Sequence, residues 1–186
     1  MVSGLEPRPV QTGTLGPNLS AMPLITGCSP LEARYEIANM IFFSRRLYDG
    51  YQPASDWHRQ AMKTWMRLVD CYQAYRKVIK PLLPKSAVTL DVEGLHDAVV
   101  TSCVQQGGEL TMTLDASGAL CKWCGHHVTL RFSGVTRRVA KKSLVGQWWL
   151  YNELHLSAKS AFSLHVLLTG DDIQIDADDV IIETDR

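Results

Sequence analysis

The sequence predicts an α+β protein in which two N-terminal amphipathic helices pack on a C-terminal antiparallel β meander. Three observations predict it. Apolar residues recur every three to four positions before residue 86, and the period falls to two after it. The later strands are also too short and too tightly joined for parallel crossovers. With 186 residues the chain has length for one domain, or one domain with an appendage, and enough to build a core without disulfide staples.

Residues 1–28 mix Gly, Pro, Thr and Ser with single apolar residues and follow neither period, so they read as an irregular arm. The helical region spans 29–85. Ser29-Pro30-Leu31-Glu32 supplies a helix N-cap, a proline at the first helical position and a capping-box Glu, which predicts a first helix over 29–49 that ends at Gly50. A second helix starts at Ser55-Asp56 and runs to about residue 80, where Pro81 and Pro84 stop it. Its stripe of Trp57, Ala61, Trp65, Leu68, Val69, Tyr72, Tyr75 and Ile79 reads as a core face.

Residues 86–186 read as the β domain, cooperative with the helices. Leu110, Met112 and Leu114 alternate with Thr111 and Thr113, and Val128, Leu130 and Phe132 alternate with Thr129 and Arg131. Phe162, Leu164, Val166 and Leu168 continue the pattern, Gly170-Asp171 makes a turn, and Ile173, Ile175 and residues 180–182 follow.

Nineteen Lys plus Arg balance nineteen Asp plus Glu, so no field favours a nucleic-acid partner. Asp171, Asp172, Asp176, Asp178, Asp179, Glu183 and Asp185 crowd the end and read as a solvated strand edge or tail; they lack the EF-hand loop's central Gly and final Glu. No window reaches the roughly eighteen apolar residues of a membrane span. The start does not pair basic residues with an apolar run. Five cysteines make an odd count, four of them in stretches that read as helix or strand interior or as a hairpin, which suits a reducing compartment, so the expected location is the cytoplasm, away from membranes.

The C-terminal half resembles a family of bacterial cytosolic proteins of unknown function, with a helical N-terminal region before an antiparallel β domain. Four stretches carry the likeness: Leu95-His96-Asp97-Ala98, Leu114-Asp115-Ala116-Ser117-Gly118, Trp148-Trp149-Leu150-Tyr151-Asn152-Glu153-Leu154, and Phe162-Ser163-Leu164-His165-Val166-Leu167-Leu168 with residues 173–182. The resemblance implies a fold and no activity. Two stretches depart from it, the arm of residues 1–28 and the hairpin of residues 119–127.

That hairpin carries Cys121-x-x-Cys124-Gly125, a spacing at which two thiolates bind one zinc ion, and His126 offers a nitrogen. The other Cys and His residues are scattered singly, so no second half-site shows, and no cofactor beyond this candidate zinc is implied. A redox pair would need a helix N-terminus, which a hairpin lacks. His96-Asp97 invites acid/base chemistry, yet neighbours along a strand point to opposite faces. No nucleophile elbow, HExxH or phosphate-binding Gly loop accompanies them.

Strand alternation puts Trp148 and Leu150 on one face and Trp149 and Tyr151 on the other. One pair lines the core, and Trp149 with Tyr151 is the candidate binding pair. These features point away from an enzyme. They favour a protein-binding module that engages a protein partner or a second copy, immunity- or antitoxin-like in kind; the alternative is a metal- or thiol-dependent protein centred on Cys121 and Cys124.

Overall fold

A computed structural model describes residues 40–120, 123–140 and 143–185. The expected arm and the Ser29 cap lie outside the described residues. The chain is α+β: among the described residues, helices α1 (Arg45–Tyr51), α2 (His58–Ile79) and α3 (Lys85–Glu93) come ahead of eight strands. No helix among the described residues is long and apolar enough to cross a membrane.

Of the helix expected over residues 29–49, residues 29–39 lie outside the described residues and residues 40–44 are not helical. Ser44 then caps α1, its hydroxyl accepting from the Leu47 N–H at 3.4 Å. Gly50 sits inside α1 instead of ending it, because the Trp57 ring lies where a side chain would go: a Cβ on Gly50 would be 2.0 Å from that ring. In α2 the expected stripe is buried at Ala61, Trp65, Tyr72 and Ile79, while Trp57 remains 39% exposed. The α2 cap is Trp57, with no side-chain hydrogen bond, where Ser55-Asp56 was expected.

Helix α3 occupies a stretch expected to begin the β region. Its β-branched Val88, Thr89 and Val92 obscure the pair that matters: Ala87 and Leu90, three apart, face the core, and Gly94 at φ 61° ends the helix.

The β half is antiparallel but forms two sheets instead of one meander. Strands β1 (Val99–Gln106), β2 (Glu109–Asp115), β3 (His127–Ser133) and β8 (Asp179–Asp185) make the first, in the order β1-β2-β3-β8. Strands β4 (Arg137–Val139), β5 (Trp149–His155), β6 (Phe162–Leu168) and β7 (Asp172–Ala177) make the second, in the order β4-β7-β6-β5. Only Asp178 separates β7 from β8, so the chain switches sheets within one residue. It does so beside Gly134, whose φ is 61° and where a Cβ would lie 2.2 Å from the Asp178 carboxylate, so there is no room for a side chain.

Leu110, Met112, Leu114, Val128, Leu130 and Phe132 of the first sheet meet Leu164, Val166, Ile173 and Ile175 of the second in one buried core. A second cluster joins Met40, Phe43, Leu47, Ala61, Trp65 and Tyr72 to Leu150 and Leu167. The order of layers is therefore α1 with α2, second sheet, first sheet, while α3 packs at the side of the sandwich against β8 and β5. Arg45 ties the first two together, its guanidinium donating to Leu168 O, to Thr169 O at 3.2 Å and to Asp171 O at 3.1 Å, and pairing with Asp172 at 3.3 Å.

Candidate functional site

A register shift between Trp149 and Tyr151 marks a bulge in β5. Beyond it, Tyr151, Glu153 and His155 alternate with Asn152 and Leu154 and meet the helical layer. Glu153 is fully buried. A carboxylate taken from water needs donors at its lone pairs. Oε1 accepts from Phe42 N–H at 2.7 Å and Phe43 N–H at 2.6 Å, and Oε2 accepts from Ile41 N–H at 2.8 Å and His155 Nε2–H at 2.9 Å. These three amides hold residues 41–43 out of helical pairing, which explains the non-helical stretch before α1.

His155 Nδ1 lies 3.2 Å from the Tyr75 hydroxyl, and burial pushes that phenol up to about 12, so it keeps its proton to donate. The His165 ring sits 4.8 Å from the His155 ring. Ser163 O–H donates to Asp176 Oδ1 at 2.5 Å, so its oxygen accepts from His165 Nε2–H at 3.1 Å. Gln174 donates to both Ser163 at 3.2 Å and Asp176 at 3.1 Å. Phe42 stacks on His155, with ring centres 6.3 Å apart, and closes the cluster from the helix side.

A second buried network adjoins it. The Tyr72 hydroxyl donates to Asp91 Oδ1 at 2.8 Å and accepts from Leu154 N–H at 2.7 Å; Asn152 donates to the same Asp91 oxygen at 3.1 Å, and Arg76 pairs with Oδ2 at 2.5 Å. Burial holds the Asp91 carboxyl above its ordinary range, opposed by Arg76. Burial, with the Asp91 charge, raises the Tyr72 phenol far above its ordinary range.

The sequence-predicted residues fall elsewhere. Trp149 is fully buried in the core between the sheets, its indole N–H donating to Asn152 at 3.1 Å, and Tyr151 is half-buried against Trp65 of α2. The binding pair of the sequence reading is thus enclosed, because the bulge turns Leu150 and Tyr151 together toward the helices. Trp148, 49% exposed, is the aromatic of this segment that meets solvent. Cys121 lies outside the described residues. Cys124 is exposed near Ser117 O, and His126 Nδ1 is 2.9 Å from Asp185 O, both on the β2–β3 connection of the first sheet. His96 and Asp97 do meet, at 3.0 Å, because they occupy a turn in which Asp97 takes φ 69°, instead of a strand.

Glu153, Tyr75 and Ser163 were missed, while His155 and His165 were seen only as scattered histidines. The available signal was chemical: ionisable residues inside Trp149-Leu150-Tyr151-Asn152-Glu153-Leu154-His155 and Phe162-Ser163-Leu164-His165-Val166-Leu167-Leu168, strands apolar enough to be covered on both faces.

The sheet edges form the other candidate surface. Edge β8 carries Asp179, Glu183 and Asp185, edge β4 is three residues with two arginines, and edge β5 has its Leu154 N–H capped by Tyr72. Edge β1 reads VVTSCVQQ, with no charge and no proline. Residues 146–149 cover its start, with Val100 N–H donating to Gln147 O at 2.9 Å and Gly146 N–H to Val100 O at 2.8 Å. From Ser102 to Gln106 its strand partner among the described residues is β2 alone. Val104 is 51% exposed there, beside a shallow depression of about 260 Å³ lined by Val104, Gln106, Glu109 and Thr111.

A helical layer over a two-sheet antiparallel sandwich, with a cluster of buried ionisable groups between α2 and the second sheet, defines the class. The chain belongs to the family described as Protein of unknown function (DUF4085), which matches residues 38–177. That span takes in the Glu153 clamp, both histidines and β1. No curated protein matches the chain.

Proposed function

We propose that the protein is a protein-binding module, not an enzyme, which takes an extended segment of its partner as an added strand along the open half of β1. The observation that carries this is the contrast among the four edges. Natural sheets blunt their edges with charge, proline, shortness or cover. The edges at β4, β5 and β8 are blunted in these ways, and among the described residues Ser102–Gln106 of β1 is not. Strand addition draws its affinity from main-chain hydrogen bonds and its selectivity from alternate side-chain positions, for which Val104 supplies an apolar contact and Gln106, Glu109 and Thr111 of the adjoining depression supply polar ones.

The Glu153 carboxylate and His155 hold the helical layer to the second sheet.

The test is capture from native lysate followed by hydrogen exchange of the complex. Slowed exchange confined to β1, and loss of capture in a folded Val104→Lys variant, support strand addition. Equal capture by that variant, or slowed exchange elsewhere, refutes it. A second copy as the captured strand would show as a dimer on sizing that Val104→Lys returns to monomer, which replaces the heterologous partner with a homologous one.

A further inference from the structure

We propose that Glu153, His155 and His165 form a zinc site between the helical layer and the second sheet, separate from the cysteine hairpin. Their ligand atoms all lie within 4.8 Å of one another and are buried. Two imidazoles and one carboxylate are a donor set suited to zinc, with a fourth position left for water. Sites of this kind are made by the groups behind the ligands as much as by the ligands, because outer hydrogen bonds orient each ring. Both rings have such a group here: Tyr75 at His155 Nδ1, and Ser163 backed by Asp176 at His165 Nε2. Glu153 is pinned by three backbone amides, so little side-chain freedom remains to be lost on binding.

The separation of His155 Nε2 and Glu153 Oε2, 2.9 Å, is a few tenths of an ångström short of the roughly 3.3 Å between two ligands of a tetrahedral ion bound at about 2.0–2.1 Å, so the two groups part slightly to admit it. The ion takes the place of the proton between them. That proton moves to Nδ1 of the same ring, which then donates to the Tyr75 oxygen, so His155 stays neutral. Glu153 keeps its backbone donors and supplies the negative charge. With Ser163 spending its hydrogen on Asp176, His165 carries its proton at Nε2 and its lone pair at Nδ1.

Chelator-stripped full-length protein titrated with cobalt(II), and then with zinc, tests this. The expected result is one equivalent of cobalt with ligand-field bands, no thiolate charge-transfer absorption, and displacement by zinc. His165→Gln should abolish binding, and Ser163→Ala should weaken it roughly ten- to a hundredfold. A variant with Cys121→Ser and Cys124→Ser should bind like the parent. Binding far below one equivalent overturns the proposal, as does thiolate absorption, or binding lost with the cysteines and kept in His165→Gln. If circular dichroism shows His165→Gln unfolded, Ser163→Ala decides, and unchanged affinity there counts against the site.

Discussion

The two sheets share one core yet follow different rules, because the second is covered on both faces and the first on one. In β2 and β3 buried residues alternate with exposed or half-buried ones, and the outer positions are Thr111, Thr113, Thr129 and Arg131. In β6 every residue except His165 is buried, since Leu164 and Val166 face the first sheet while Leu167 meets α1 and α2. A polar side chain on the first sheet can turn to water. On the second it must find a partner inside, which is why the buried polar residues Glu153, His155, Ser163 and Asp176 are all hydrogen-bonded within the protein.

The largest test of this contrast is Glu153→Ala. It strands three backbone N–H groups and one imidazole, and should cost about 3–5 kcal/mol in urea unfolding, with residues 40–43 losing hydrogen-exchange protection. A cost near zero would mean the carboxylate does not hold that segment.

Next in size is a matched pair. Leu167→Ala, on the helix-covered face, should cost about 2–5 kcal/mol, and Thr129→Ala, on the open face of the first sheet, should stay within about 0.5 kcal/mol. Equal costs would erase the distinction between the sheets. Gly50→Ala should cost about 1–3 kcal/mol, because the new methyl displaces the Trp57 ring, and tryptophan fluorescence should report the displacement.

The smallest effect is a pH dependence. Burial raises the folded-state pKa of Asp91 above 3.8, so the folded protein binds this proton more tightly than the unfolded chain. Stability from this group is full at low pH and declines as pH rises from 3.8 through the folded pKa. Urea midpoints of the parent should lose ground to those of Asp91→Asn across that window, and a pH-independent difference would contradict the burial argument.

Much of this fold was legible before any coordinates. The stripe of α2 and the alternation in β2, β3 and β6 are direct consequences of helical and strand periodicity, so the α+β order followed from them. The division into two sheets was not legible, because a strand's period reports that a face is buried and not what buries it. The same limit hid α3, whose β-branched residues outweighed Ala87 and Leu90 by local preference. It also let the expected first helix run through residues 40–44, where Glu153, more than a hundred positions away, claims the amides.

The sites divide in the same way. The cysteine hairpin and the tryptophan segment stood out because their signals are short in sequence. The Glu153, His155 and His165 cluster comes from two strands, braced by Tyr75 of α2, and no spacing along the chain announces it. The sequence by itself determined which residues would be helical or extended and which faces would seek cover, since these follow from local geometry and hydrophobicity. Tertiary structure alone decided which ionisable groups meet and which sheet edge stays open, because both depend on contacts between segments that only folding brings together.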